Sequence, residues 1–225
     1  MDTRVKQSMN SKAQFWDKQA KKFDKTENRF DPAFENILKK TEKYLKKTDL
    51  VLDFGCATGK KSLELAQYVN EVHGLDFSPK MIELAEEEAK KQKISNVKFF
   101  NGTIFDELLM KGSYDAIVSF SVIHLLDDYI EVLKRINELL KPDGFFISTT
   151  ACLRETMSLR DKFVLSNYLF IKKIGLFQIY LNMLKNSDVD RMIEEANFKI
   201  VESENIASGI SIYFVVAKKS KQSVL

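Results

Sequence analysis

Two acidic residues and a glycine-rich loop carry the residue types with which a protein holds a polar ligand. Asp53 precedes Gly55, Ala57 and Gly59 within the stretch VLDFGCATGK, and Asp76 follows 23 residues after Asp53. Glycine lets the backbone turn tightly and approach a bound molecule, and the free amide groups that open a following helix suit a polar or anionic group. The acid at the strand end favours a cationic ligand group over a pyrophosphate.

The spacing of the glycines separates two ligand classes. A dinucleotide fingerprint reads G-x-G-x-x-G, and its third glycine is needed for close packing of the helix. Counted from Gly55, its second and third positions fall on Ala57 and Lys60. Alanine is tolerable there, but lysine cannot replace the third glycine. Asp76 still lies at the interval at which nucleotide-binding folds place an acid on ribose hydroxyls, so a ribose is expected near it.

Alternating strands and helices are predicted to position these residues. Periodicity and turn residues predict strands at 51–54, 72–77, 97–100, 114–120, 145–149, 198–206 and 210–219, with the last two able to pair as a hairpin. Helices are predicted at 11–30, 31–47, 60–69, 80–91, 127–140 and 187–197, with Ser78 and Ser187 as caps and a turn at 141–144. This alternation calls for an α/β fold with a parallel, doubly wound sheet.

Four stretches in order resemble the class I S-adenosylmethionine-dependent methyltransferases, over about residues 13–218. VLDFGCATG resembles motif I, usually D-x-G-x-G-x-G, and HGLDFSPKMIELA resembles motif II. YDAIVSFSVIHLL resembles motif IV, and LKRINELLKPDGFFIST resembles the signature that usually ends in L-K-P-G-G. Ala57 and Asp143 stand where the family has glycine. Within this family the chain resembles the small-molecule type, whose domain is like methyltransferase domain 11 or 25. The resemblance implies a seven-stranded, mostly parallel, Rossmann-like sheet with a reversed last strand.

The resemblance also implies S-adenosylmethionine as the cofactor and assigns its contacts residue by residue. The methionine half is expected against Asp53, Gly55, Ala57, Thr58, Gly59 and Ser119, the ribose hydroxyls against Asp76, and the adenine against Phe77, Met81, Thr103 and Ile104. His124 is the candidate catalytic base, since its side chain titrates near neutrality, and a histidine held by backbone hydrogen bonds is the structural alternative. Cys56 lies in the loop and is expected to be inert.

A helical cap is predicted from two segments. Residues 1–47 supply N-terminal cap helices, and 153–185 form a helical lid that replaces a short connection. Trp16, Phe23 and Tyr168 are expected to face the substrate, with packing as their alternative role. No N-P-P-Y tetrapeptide follows the fourth strand, where SFSV stands, so methylation of adenine in DNA or of glutamine is disfavoured. The resemblance therefore implies a small, apolar or aromatic-containing acceptor.

Composition limits the remaining possibilities. The 225 residues, 44% of them hydrophobic, are enough for a single domain over 1–225, and 35 basic against 32 acidic residues give a net charge of +3 that does not predict nucleic-acid binding. Cys56 and Cys152 form no metal-ligand or disulfide pattern, so no metal is expected and a reduced, cytoplasmic setting fits. The apolar stretch 163–184 has Lys172 and Lys173 at its middle, which excludes a membrane span. A monomer and a homodimer are both left open.

Three functions remain. Transfer of a methyl group to a small molecule is the main prediction, and a cofactor-binding protein without transfer and an NAD-dependent oxidoreductase are the alternatives. Lys60 and Asp53 argue against the oxidoreductase. Ala57, Thr103 and the lack of an obvious base leave the binding protein open.

Overall fold

A computed structural model gives the structure of the chain and describes residues 3–27, 31–155, 166, 181–206 and 211–220. The chain divides into two compact units, Met1–Asp106 and Glu107–Leu225.

The residues described in the first unit form four helices and three strands. In chain order they are α1 (Thr3–Glu27), α2 (Asp31–Thr41), β1 (Leu50–Phe54), α3 (Lys60–Leu65), β2 (Glu71–Asp76), α4 (Pro79–Gln92) and β3 (Val97–Asn101), with a 3-10 turn at Glu42–Tyr44. β2 pairs in parallel with both β1 and β3. Because parallel strands end at the same edge of a sheet, the residues after β1 and β2 come together.

The described part of the second unit contains two helices and four strands. They are β4 (Tyr114–Phe120), a 3-10 helix at Ile123–Leu125, α5 (Tyr129–Leu139), β5 (Leu140–Cys152), α6 (Asn186–Glu195), β6 (Phe198–Asn205) and β7 (Ser211–Lys219). β4 and β5 are parallel, whereas β7 runs antiparallel to β5 and to β6. The predicted hairpin of the last two strands is therefore confirmed.

The strands form one seven-stranded sheet in the order β3-β2-β1-β4-β5-β7-β6. The predicted α/β fold with a mostly parallel sheet and a reversed last strand is confirmed. Strands buried on both faces read as continuous apolar runs, and β4 and β7 both show this pattern. None of the helices described here is long and apolar enough to cross a membrane.

Several predicted boundaries are wrong, each for a local reason. The helix predicted at 60–69 ends at Leu65, and the side-chain amide of Asn96 donates to the carbonyl of Ala66 at 2.9 Å just beyond it. The turn predicted at 141–144 lies within β5 as an irregularity, in which Asp143 has φ +65° and β4 pairing passes from Leu140 to Phe145.

The cap predicted at Ser187 is also wrong. α6 begins at Asn186, so Ser187 lies inside its first turn. The carboxylate of Asp188 accepts instead from the backbone N–H of Lys185 at 2.9 Å. An acid at the third helical position can satisfy an amide at the helix start, which explains why the boundary lies before the serine.

Candidate active site

The loop after β1 has a backbone that favours glycine at three positions. Gly55, Ala57 and Gly59 all have positive φ, at +77°, +49° and +78°. A Cβ on Gly59 would come within 2.6 Å of the Phe99 ring and 2.8 Å of the Ala85 Cβ. Gly59 is therefore required by packing inside the unit as well as by the turn. Ala57 carries a side chain in a conformation that costs L residues roughly 1–2 kcal/mol.

Asp76, at the end of β2, ties this loop to the start of α4. One carboxylate oxygen accepts from the backbone N–H of Ala57 at 3.1 Å, and the other accepts from that of Ser78 at 2.9 Å. Burial, with a smaller contribution from the negative charge of Asp17, raises the pKa of Asp76 to about 6, although the backbone hydrogen bonds to the carboxylate oppose the shift. Each carboxylate oxygen can accept a second hydrogen bond, so two ribose hydroxyls fit this acid.

Asp53 and Cys56 are both buried beside the loop. The carboxylate of Asp53 accepts from the hydroxyl of Ser62, on α3, at 2.6 Å. Burial, with the nearby charges of Asp53 and Asp76, raises the pKa of the Cys56 thiol well above its usual value. The thiol is therefore protonated and a poor nucleophile, as the sequence led us to expect.

Two aspartates of α1, absent from the sequence-based site, bind the loop and the start of α4. The Asp17 carboxylate accepts from the Ser78 hydroxyl at 2.6 Å and from the backbone N–H of Lys80 at 3.1 Å. The Asp24 carboxylate accepts from the Thr58 hydroxyl at 2.5 Å. Seven residues separate the two acids, so they lie about two turns apart on one side of the helix. Within the sequence, only this heptad spacing hinted at a shared face.

The same part of α1 carries the aromatic residues predicted to face the substrate. The rings of Trp16 and Phe23 are 6.1 Å apart and nearly perpendicular, and both side chains are half-buried. Ala20, between them in sequence, is almost fully buried. Tyr168, the third predicted substrate residue, lies outside the described residues, as does most of the lid predicted at 153–185.

The predicted adenine residues differ in exposure. Phe77 is half-buried, whereas Met81 and Ile104 are almost fully buried. The Thr103 hydroxyl accepts from the backbone N–H of Phe105 at 3.3 Å. Phe77 and Thr103 therefore keep surface for a ligand in this structure, and the adenine contacts of Met81 and Ile104 stay predictions.

Ser119 and His124 belong to the second unit. Ser119 is fully buried near the end of β4, and its hydroxyl has no hydrogen-bond partner among the protein groups. His124 is buried in the 3-10 helix at Ile123–Leu125, and its Nδ1 also has no partner. Burial lowers the pKa of His124 to about 4, so the imidazole is neutral at pH 7. Its backbone carbonyl accepts from the N–H of Asn182 at 2.7 Å.

The structure thus brings Asp53, Ala57, Thr58 and Asp76 together around one loop of the first unit. Within the described part of the chain, no group of three His, Cys, Asp or Glu residues is placed to hold a metal ion.

The chain is similar to known methyltransferases. A family model described as a methyltransferase domain matches residues 45–197. The demethylmenaquinone methyltransferase of Staphylococcus aureus (strain MRSA252) is 29% identical over 175 residues, which cover 71% of this chain and 72% of that protein.

Solved structures share the fold. A SAM-dependent methyltransferase from Aquifex aeolicus has a TM-score of 0.69 at 17% identity and covers 88% of this chain and 97% of its own. The geranyl diphosphate C-methyltransferase of Streptomyces coelicolor A3(2), in complex with Mg²⁺, geranyl diphosphate and S-adenosyl-L-homocysteine, has a TM-score of 0.68 at 14% identity. It covers 85% of this chain and 80% of its own.

Proposed function

We propose that this chain, which belongs to the methyltransferase domain family and is an S-adenosylmethionine-dependent enzyme, has as its acceptor a small, apolar molecule with an aromatic ring. S-Adenosylmethionine supplies a methyl group that is already activated by the positive sulfur. The protein's part is therefore to bind both molecules, align the acceptor atom with the methyl group and keep water out. Orientation alone can contribute roughly 7–11 kcal/mol to such a reaction.

The residues proposed to bind the cofactor lie in and beside the glycine loop of the first unit. Asp76 would accept the two ribose hydroxyls, and the loop at Gly55–Gly59 would lie along the methionine half, with Asp53 contacting the ammonium directly or through water. The hydrogen bonds from Ala57 and Ser78 already hold the Asp76 carboxylate in place. A fixed acceptor loses little freedom when the cofactor binds, which supports this role.

The attachment of α1 carries the argument for an apolar acceptor. Asp17 and Asp24 hold α1 against Ser78 and Thr58, next to the proposed cofactor loop. The same stretch of helix bears Trp16 and Phe23, which remain half-buried. Aromatic side chains offer an apolar ring large contact area and exclude water, so this arrangement favours a ring-bearing acceptor.

The relative from Staphylococcus aureus is a demethylmenaquinone methyltransferase, and its name suggests a quinone-like ring as the acceptor class. A reduced quinone carries hydroxyl groups on an aromatic ring, which agrees with the apolar, aromatic acceptor argued above. The transfer forms a bond between an acceptor carbon or oxygen and the methyl carbon. It breaks the bond between the methyl carbon and the sulfur of S-adenosylmethionine. The acceptor loses one proton.

A base is needed only if the acceptor arrives protonated. His124 is neutral at pH 7 and can accept a hydrogen bond through its unprotonated nitrogen, but the acid that forms from it is strong. We therefore expect His124 to orient an acceptor hydroxyl and to assist proton loss only weakly. A residual rate in His124→Gln above one-tenth of wild type would agree with that role.

The test is methyl transfer to a panel of 1,4-naphthohydroquinones, phenols and aliphatic amines, followed by mass spectrometry of product and S-adenosylhomocysteine. Transfer to the ring compounds and not to the amines supports the proposal. Binding of S-adenosylhomocysteine by calorimetry, with no transfer to any member, would favour the binding protein that the sequence left open. Tight binding of NAD, with none of S-adenosylhomocysteine, would favour the oxidoreductase.

A further inference from the structure

Three buried hydroxyl groups of the second unit have no hydrogen-bond partner among the protein groups. They belong to Ser119, Ser148 and Thr150, which are all fully buried, and we name them the hydroxyl cluster. Native proteins leave few buried polar groups unpaired, and each such group calls for an explanation. The cluster contains three of them within two neighbouring strands.

The sheet register places the three hydroxyls on one face. Ser119 of β4 is the register partner of Ser148 of β5, and neighbouring strands lie roughly 5 Å apart. Side chains alternate along a strand, so Thr150 lies on the same face as Ser148, about 7 Å farther along. The cluster therefore spans a patch of the size of one small ring, in the half of β5 that leads to its carboxyl end.

Other buried hydroxyls among the described residues show that this pattern is local. Each of the other buried serines and threonines has a bonded hydroxyl oxygen: Thr41, Thr58, Ser62, Ser78, Thr149 and Ser211. Thr149 makes the closest comparison, because it lies between Ser148 and Thr150 on the opposite face. Its hydroxyl accepts from the backbone N–H of Ser121 at 3.1 Å. The fold therefore pairs buried hydroxyls elsewhere and leaves this face unpaired.

Neighbouring groups do not supply the missing partners. Tyr213 of β7 is the register partner of Thr150, but its hydroxyl donates to Asp190 at 2.8 Å. The register partner of Ser148 is Val215, which has no polar side-chain atom. The 3-10 helix that carries His124 packs on β5, and the imidazole Nδ1 is unpaired as well.

We infer that the hydroxyl cluster binds an oxygen atom of the acceptor, a phenol or hydroquinone oxygen, and so selects oxygen-bearing rings over plain hydrocarbon rings. Ser119 then serves the acceptor, in place of the methionine contact that the family resemblance implied for it. This inference rests on the proposed function, since it assigns the acceptor's polar atom. Hydroxyl groups donate to an oxygen lone pair and also accept, so three of them can hold a neutral C–OH group. A buried ammonium would need a charged partner, and the cluster itself has none to offer. In open α/β sheets ligands bind beyond the carboxyl ends of the strands, and Ser119 and Thr150 lie one and two residues before those ends.

The first experiment measures recognition of the oxygen directly. Binding of 1-naphthol and of naphthalene to the protein saturated with S-adenosylhomocysteine is compared by fluorescence, in wild type and in the double variant Ser148→Ala/Thr150→Val. Wild type should prefer 1-naphthol by about tenfold, because the hydroxyls lose their partner when naphthalene binds. The double variant should bind the two compounds about equally. The inference is wrong if wild type shows no preference or if the double variant keeps it.

The matched control is Thr41→Val, which makes the same chemical change at a fully buried threonine that donates to the carbonyl of Ile37 at 2.8 Å. It should keep the preference for 1-naphthol and should lower the melting temperature. Thr150→Val should leave the melting temperature unchanged or raise it, because removing an unpaired buried hydroxyl removes a desolvation cost. A drop like that of Thr41→Val would show that the hydroxyl is already paired in the free protein, through ordered water only, and would overturn the inference.

Failure of the inference is distinct from failure of the proposed function. If no ring compound is methylated but 1-naphthol is preferred through Ser148 and Thr150, the oxygen site stands and the proposed reaction falls. If hydroquinones are methylated but neither variant changes the preference or raises KM for the acceptor, the reaction stands and the oxygen site falls.

Discussion

Around the glycine loop of the first unit, buried polar groups are bonded to one another, whereas on β4 and β5 three buried hydroxyls have no protein partner. Asp76 accepts from Ala57 and Ser78, and Asp53 accepts from Ser62. A region whose groups are held in place before the ligand arrives is suited to one invariant ligand, because little order is lost on binding. This is the property that a cofactor site needs.

The hydroxyl cluster has the opposite property. Unpaired hydroxyls destabilise the free protein and gain most when a ligand supplies the missing partner. A site of that kind discriminates between ligands that carry the right atom and ligands that lack it. We infer that affinity for the cofactor and selectivity for the acceptor depend on how completely the free protein satisfies its own polar groups.

The strongest test of the cofactor side is Asp76→Ala. It removes two charge-assisted bonds to the ribose, worth roughly 1.5–3 kcal/mol each, so affinity for S-adenosylhomocysteine should fall tenfold or more. Calorimetry measures the affinity, and circular dichroism confirms the fold. Asp49→Ala is the control, because Asp49 is also buried and accepts a backbone amide, from Lys46 at 2.8 Å. Equal affinities of Asp76→Ala and wild type would remove Asp76 from the cofactor site.

Acid should change the contributions of the two regions to folding stability in opposite directions. His124, with its pKa lowered to about 4, binds a proton more readily when unfolded, so its contribution to stability is lost as pH falls from 6.5 towards 4, by about 3 kcal/mol. Asp76, with its pKa raised to about 6, binds a proton more readily when folded, so protonation between pH 6 and 4 stabilises the fold. The His124 effect should therefore be clearest in the Asp76→Asn background.

Urea unfolding between pH 7 and pH 4.5 measures both contributions. Asp76→Asn should steepen the loss of stability in acid, and adding His124→Gln should flatten it again. If His124→Gln leaves the acid slope of Asp76→Asn unchanged, another group is responsible for the loss.

Much of the fold was predictable because it depends on the local pattern of apolar and turn residues. Apolar runs and turn residues located all seven strands. Ser78 followed by Pro79 located the start of α4, where the Ser78 hydroxyl accepts from the N–H of Met81 at 3.2 Å. The order of motifs then predicted the sheet. Boundaries were missed where a distant residue decides them, as Asn96 does at the end of α3.

The site was predictable only where chemistry follows from short spacing. Asp76 could be named from its distance to Asp53. The bonds of Asp17 and Asp24 join residues 61 and 34 positions apart, so the sequence hints at them only through the heptad spacing of the two acids. The hydroxyl cluster was invisible for another reason. Ser148 and Thr150 stand in an apolar strand and look like core residues until the register shows that their neighbours offer no partner.

Affinity for the cofactor should depend on pH through Asp76. A carboxylate accepts ribose hydroxyls best when ionised, and its pKa of about 6 in the free protein means that about one-tenth is ionised at pH 5. Affinity for S-adenosylhomocysteine should therefore fall about tenfold between pH 7 and pH 5. Asp17→Asn removes a negative charge that raises this pKa, so its profile should move to lower pH. A profile that Asp76→Asn does not flatten would assign the pH dependence to another group.

The attachment of α1 gives a smaller effect, on rates. Asp17→Asn and Asp24→Asn weaken the bonds to Ser78 and Thr58, each worth about 1 kcal/mol net, so S-adenosylhomocysteine should dissociate about five times faster. Stopped-flow displacement measures this rate. Lys18→Gln is the matched control, since Lys18 lies on α1 and its side chain is exposed. If both aspartate variants dissociate at the wild-type rate, α1 does not restrict the exit of the cofactor.

The smallest expected effect is that of Ala57→Gly, which tests whether the loop is already optimal. Ala57 has φ +49°, which glycine adopts without the steric cost that alanine bears. Glycine also has more freedom in the unfolded chain, so the net gain in stability should lie between zero and about 1 kcal/mol. The N–H that donates to Asp76 at 3.1 Å is kept in the variant, so S-adenosylhomocysteine should bind equally well or up to a few times more tightly. Thermal unfolding and calorimetry measure the two quantities, and Ala85→Gly, within α4, is the control that should lose stability. A large loss of affinity in Ala57→Gly would mean that the Ala57 methyl group itself contacts the cofactor, and the free protein would then be shaped to its ligand at this position by a side chain as well as by hydrogen bonds.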